Sequence, residues 1–187
     1  MLFRVMVFLH LGFVLGLCCT LCVEWTTLSG MRRTNEAAPF RAWSRQLQVI
    51  ERFHPLWAVG ILATGAYLTT TAWTWSTAFI GASLFAVVAS AVIGGAFNGP
   101  RFKRLDTASA ALETDVLPAA LRKDVNAPSL LLAHGAQTGV TLSLFYIMTV
   151  KPDWVGSIAA LALGAGAGLA AAMLMGRAAL SNPKEHR

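Results

Sequence analysis

The chain has 187 residues, 56% of them hydrophobic and 13% charged, with a mean hydropathy of +0.58 and a formal net charge of +6. Globular domains carry about 25% charged residues, so a water-soluble domain of this length is excluded. Ten Phe and six Trp exclude intrinsic disorder, and three Cys confined to Cys18–Cys22 exclude a disulfide scaffold, which leaves a polytopic membrane protein read as one integral domain over 1–187.

Gaps between charged residues define the spans. Val5–Val23, Val125–Val150 and Trp154–Gly176 hold no Asp, Glu, Lys or Arg, and each suits one crossing. A helix needs about 20 apolar residues to cross the hydrocarbon core. The uncharged run Phe53–Pro100 is long enough for two, joined near Thr69–Ser76, where Trp73 and Trp75 match an interfacial aromatic belt. The expected fold is all-α, with five spans at about 4–28, 53–72, 77–97, 129–149 and 154–176. No segment shows the alternation of barrel strands.

The first segment has a competing reading as a signal peptide, since Arg4 precedes an apolar stretch and small residues lie near Cys18 and Thr20. Cleavage would delete a span that the charge pattern uses. Of the 15 Lys and Arg, 13 fall in 29–52, 98–128 and the C-terminal tail, which five spans place on one side; Arg4 and Lys151 lie on the other. By the positive-inside rule the N-terminus is outside and the C-terminus cytoplasmic. The basic loops are thus explained by orientation and contact with anionic lipid, not by nucleic acid.

Phe40, Trp43, Leu47 and Ile50 fall at helical spacing within 37–52, with Arg41, Arg45 and Arg52 elsewhere on the wheel. This predicts a short amphipathic helix lying in the interface. In 98–128, Gly99-Pro100 is expected to end the third span, and the Ala-rich stretch Leu105–Leu117 to form a surface helix. In the last span Gly156, Ala160, Gly164, Gly168, Ala172 and Gly176 recur every four residues. Such a face lets helix backbones approach closely, either within the bundle or across a homo-oligomer.

Ionisable groups at membrane depth are costly and mark candidate sites. His10 and Glu24 share nearly one face of the first span, about 21 Å apart. His54 opens the second span, and His134 lies in the fourth with Gln137 and Thr141 continuing its face. Glu24, His54, His134 and Gln137 therefore form an expected polar cluster in the cytoplasmic half, with Arg33 or Arg52 as partners for Glu24. Three chemistries suit it. One is haem b, with His10, His54 and His134 as candidate axial ligands and Arg52 or Arg101 near the propionates. Another is copper or zinc on imidazole and Glu24, or on Cys18, Cys19 and Cys22 with His10. The third is a proton relay.

The opening Phe3-Arg4-Val5-Met6-Val7-Phe8-Leu9-His10-Leu11-Gly12, with Gly16 beyond, resembles the first helix of small bacterial membrane families. These include the copper-resistance D type, the HemJ-type protoporphyrinogen oxidases and uncharacterised integral membrane proteins. His54-Pro55-Leu56-Trp57 and Thr64-Gly65-Ala66-Tyr67 resemble the second span of the uncharacterised group. The resemblance covers about residues 1–100 and implies a bacterial inner-membrane location, with His10 as the family's intramembrane histidine. The HemJ type pairs that histidine with an intramembrane Lys; here Lys103, Lys123, Lys151 and Lys184 all lie in loops or the tail. There is no Walker loop, H-E-x-x-H or G-x-S-x-G. The expectation is a non-enzymatic transport, accessory or structural component, with a haem-binding redox protein or a metal-handling protein as the alternatives.

Overall fold

From Leu2 to Arg33 the chain has no proline, and it forms one uninterrupted helix of 32 residues, α1. At 1.5 Å per residue it is about 48 Å long, so its last turns project beyond a hydrocarbon core of about 30 Å. The computed structural model describes residues 1–180, with side chains through Gly176; Arg177, Lys184 and Arg187 of the charge asymmetry lie outside those side chains. After α1 come α2 (Ala37–Glu51), α3 (His54–Ala72), α4 (Ala78–Val92), a π-helical segment (Ile93–Asn98), α5 (Gly99–Ala110), α6 (Ala119–Val125), α7 (Pro128–Val150) and α8 (Trp154–Leu180). Among the described residues there is no strand, only an isolated antiparallel bridge between Glu36 and Val116.

Four helices are long and apolar enough to cross a membrane: α1, α4 running on into α5, α6 with α7, and α8. The surface is inverted relative to a soluble protein. Phe8, Leu15, Val59, Phe85, Val155 and Leu163 are exposed, whereas Thr20, Ser83, Ser90, Gln137 and Thr141 are buried. That is the pattern of a multi-pass membrane bundle. The 19 residues of α3 are long enough to cross, but His54, Pro55, Trp57 and its threonines dilute its apolarity.

Two expectations about the loops are corrected. Gly99-Pro100 does not end the helix, which continues from Ala78 to Ala110. Six residues of π-helix precede the proline, with the Gly99 N–H bonded to the Gly94 carbonyl. Pro100 follows closely on this π-helical segment, whose wider turn shifts the hydrogen-bond register ahead of the proline ring. The Ala-rich surface helix accordingly starts earlier than Leu105 and ends at Ala110.

The amphipathic helix is present as α2, but its apolar face meets protein rather than headgroups. Phe40 and Leu47 are fully buried in a core with Leu28 and Met31 of α1, Phe102 and Leu105 of α5, and Leu121 of α6. The two basic loops thus fold together into one helical cap. Polar bonds seal it: Arg32 Nε donates to Asn126, Arg41 to the Leu112 carbonyl, and Ser44 to Asp106.

At the opposite end, Lys151 closes α7 in the left-handed conformation (φ 54°) and lays its ammonium 4.6 Å from the Trp73 ring centroid. The small-residue face of α8 is used within the chain. A methyl group added at Gly139 or Gly168 would overlap the carbonyl of Gly164 or Gly135, respectively, and Ser143 Oγ donates to the Ala160 carbonyl. Gly164 and Gly168, at the centre of the face read as a homo-oligomer contact, are covered by α7.

Candidate functional site

Glu24 lies six turns along α1, where the helix leaves the apolar bundle and enters the cap. It is 1% exposed. Three elements converge on its carboxylate. His54, the first residue of α3, places Nε2 2.6 Å from Glu24 Oε1. His134 of α7 is 0% exposed and places Nδ1 3.6 Å from Glu24 Oε2. Glu51, the last residue of α2, joins from the rim: one donor atom each from Glu24, Glu51 and His54 lies within 4.8 Å of the other two. Arg52, named from the sequence as a partner of Glu24, is exposed, and among the described residues the ion partners of Glu24 are the two imidazoles.

The local backbone explains the meeting. Arg52 and Phe53 both keep right-handed helical angles, so the corner between α2 and α3 winds nearly as a helix. Glu51 and His54, three residues apart, therefore reach the same side. His134 is held by its neighbours. Its ring centroid lies 4.7 Å from that of Trp25, and Trp25 donates its indole N–H to Thr138 one turn along α7.

The cluster is crowded but poorly satisfied. Glu24 Oε1 and His54 Nε2 are close without hydrogen-bond alignment, and neither nitrogen of His134 has a hydrogen-bond partner among the described residues. Burial pushes the Glu51 carboxyl up to about 7; the charge of Glu24 adds to the rise and His54 opposes it. Buried polar atoms without partners are costly, and a native structure that keeps several at one point calls for an explanation.

The other residues singled out from the sequence lie elsewhere. Gln137 accepts a hydrogen bond from Asn98 Nδ2 at 2.9 Å, outside the Glu24 cluster. His10 bonds Thr64 across the α1–α3 contact, Nδ1 to Oγ1 at 2.9 Å. Thr64 spends its single hydroxyl proton on the Gly60 carbonyl, so His10 Nδ1 is the donor. Cys18, Cys19 and Cys22 are free; Cys19 and Cys22 are exposed on the bundle's apolar surface. Among the described residues the one group suited to a metal is Glu24, Glu51 and His54.

No protein-family model, curated protein or solved structure matches the chain.

A haem between His54 and His134 does not fit this arrangement. The Glu24 carboxylate lies against a ring nitrogen of each histidine and fills the space a porphyrin plane would need. Glu51 was missed in the sequence because it closes an amphipathic helix and reads as a solvated charge. Its signal was the Glu51-Arg52-Phe53-His54 spacing, the Glu-x-x-His pattern with which helical bundles bring carboxylate and imidazole together.

Proposed function

We propose that this is a five-span protein of the bacterial inner membrane, with its N-terminus outside and its C-terminus cytoplasmic. It acts as a non-enzymatic transport or accessory component whose working part is the Glu24 cluster. In this reading α3 is the fifth span, its hydroxyls facing neighbouring helices or bonding their own backbone, as Thr64 does with Gly60. The cap formed from the two basic loops is the cytoplasmic end, and the Trp73–Lys151 contact marks the outer end.

The observation that carries the proposal is a fully buried carboxylate gripped by imidazoles from two other helices where the bundle meets the cap. Isolated charges at that depth are expelled or neutralised unless something is gained by keeping them. A structural helix-to-helix bond needs only one donor and one acceptor, and Asn98–Gln137 supplies that elsewhere in the same bundle. Four ionisable groups from four helices exceed any packing requirement.

Reporter fusions test the topology: a fusion after Ser181 reports cytoplasm and one at Trp73 reports periplasm. A periplasmic signal after Ser181 refutes the span count and the orientation together. Complementation tests the role. A deletion strain with a growth defect is rescued by the wild type but not by Glu24→Gln inserted at equal level. Rescue by Glu24→Gln refutes the assignment of the cluster as the working part.

A further inference from the structure

The Glu24 cluster has donors of one kind only. Two carboxylates and an imidazole nitrogen point inward, and among the described residues no Lys or Arg forms an ion pair with Glu24 or Glu51. Glu24 Oε1 and His54 Nε2 stand 2.6 Å apart without hydrogen-bond alignment, so neither atom has a satisfied partner. His134 adds an independent sign: an imidazole with no exposure and no hydrogen bond, its Nδ1 turned to the second oxygen of Glu24.

We propose that Glu24, Glu51 and His54 bind one divalent first-row transition-metal ion of the zinc class, with His134 backing the Glu24 carboxylate. The inference rests on the membrane reading above and names the ligand of that same site. An ion about 2.1 Å from each donor requires donor separations of about 3.4 Å. The cluster brackets that value, with Glu24 and His54 at 2.6 Å and all three donors within 4.8 Å of one another.

The chemistry selects the ion. A mixed carboxylate–imidazole set suits zinc, iron or manganese, whereas magnesium and calcium prefer oxygen alone and thiolate-seeking cuprous ions find no sulfur here. Two carboxylates cancel the charge of a divalent cation, so the filled site is neutral and tolerable at the edge of hydrocarbon. His134 on the far oxygen of Glu24 is the outer partner that fixes a ligating carboxylate. The ion's route in is the α2–α3 corner, where Glu51 and the His54 side chain, 16% exposed, reach solvent.

The test uses the full-length chain in detergent, stripped with EDTA and titrated with zinc chloride by calorimetry. Uptake of one zinc per chain is expected, undiminished by excess magnesium. Glu24→Gln and His54→Gln lower the affinity at least about 100-fold, and His134→Leu about 10-fold. Gln137→Ala leaves it unchanged. Cobalt in place of zinc gives a visible ligand-field band that His54→Gln abolishes. Should Glu24→Gln fail to fold, Glu51→Gln at the partly buried rim decides, with a loss of at least about 10-fold expected. A folded wild type that takes up no zinc at millimolar concentration, or a Glu51→Gln protein that binds as tightly, overturns the site and leaves a plain ion pair. Such a failure with the Ser181 fusion still cytoplasmic refutes the metal alone. A periplasmic fusion signal refutes the topology and the cytoplasmic route in.

Discussion

The α7–α8 seam and the Glu24 cluster are both places where helices come unusually close, and they are built on opposite principles. At the seam, Gly139 and Gly164 meet backbone to backbone, and the one polar group between them, Ser143, has its partner in the Ala160 carbonyl. Nothing there is left over. At the cluster, long side chains from α1, α2, α3 and α7 reach a common point, and several of their atoms end without partners. The seam is explained by the fold it holds. The cluster is explained only by something beyond the fold, since an apolar substitute of similar volume would serve packing as well.

Substitutions should separate the two. Gly164→Ile drives a branched side chain into Ser143 Oγ and the Gly139 carbonyl. It should cost at least about 3 kcal/mol and leave little protein monodisperse in detergent chromatography. Next in size is the hydrogen-bonded polar pair: Asn98→Leu orphans Gln137 Oε1 and should cost about 1–2 kcal/mol in a thermal or denaturant melt. His134→Leu should cost less than about 1 kcal/mol, although His134 is as buried as any of the described residues. No hydrogen bond of its imidazole is lost, and its desolvation penalty is relieved. A loss comparable to that of Asn98→Leu would place His134 with the structural residues and erase the contrast.

The smallest effect is in pH. Burial raises the Glu51 pKa in the folded chain from its ordinary 4.5 to about 7. Over that interval the folded state holds more protons than the unfolded state, so stability is fully present below about 4.5 and declines as pH rises through 7. The metal-free protein should show this decline in melts recorded with a chelator. Glu51→Gln should flatten it, and an unchanged profile would assign the slope to another group.

Much of this bundle is visible in the sequence, because charge-free runs of 19 or more residues have few meanings in a chain this apolar. Glu24, His54 and His134 could be grouped by counting residues from the charged ends of the apolar runs, since a helix converts sequence position into depth. Rotation about the helix axis is harder. Gln137 shares a face with His134 by spacing yet meets Asn98, because the neighbouring π segment sets what stands opposite each turn of α7. The periodicity of α2 showed an apolar face but not what covers it. Its cover is built from Phe102, Leu105 and Leu121, more than 50 residues along the chain from Phe40 and Leu47, and no local pattern carries that information. Gly99-Pro100 reads as a helix stop, yet the π-helical turn ahead of it lets the helix run on, and no local pattern announces that turn.

The distance along the chain between Glu24 and His134 also has a consequence for biogenesis. At about 5–20 residues per second, roughly 5–20 s separate the synthesis of the two. Through that interval α1 is in the membrane with its carboxylate deprived of the α7 imidazole, and the cap core that buries Leu28 and Met31 still lacks α5 and α6. In the proposed topology the first helix therefore waits shifted toward the cytoplasm, with Glu24 hydrated in the headgroup layer. It settles to its final depth only as the later helices arrive, so Glu24 acts as a latch that holds the first span in register until its partners close over it.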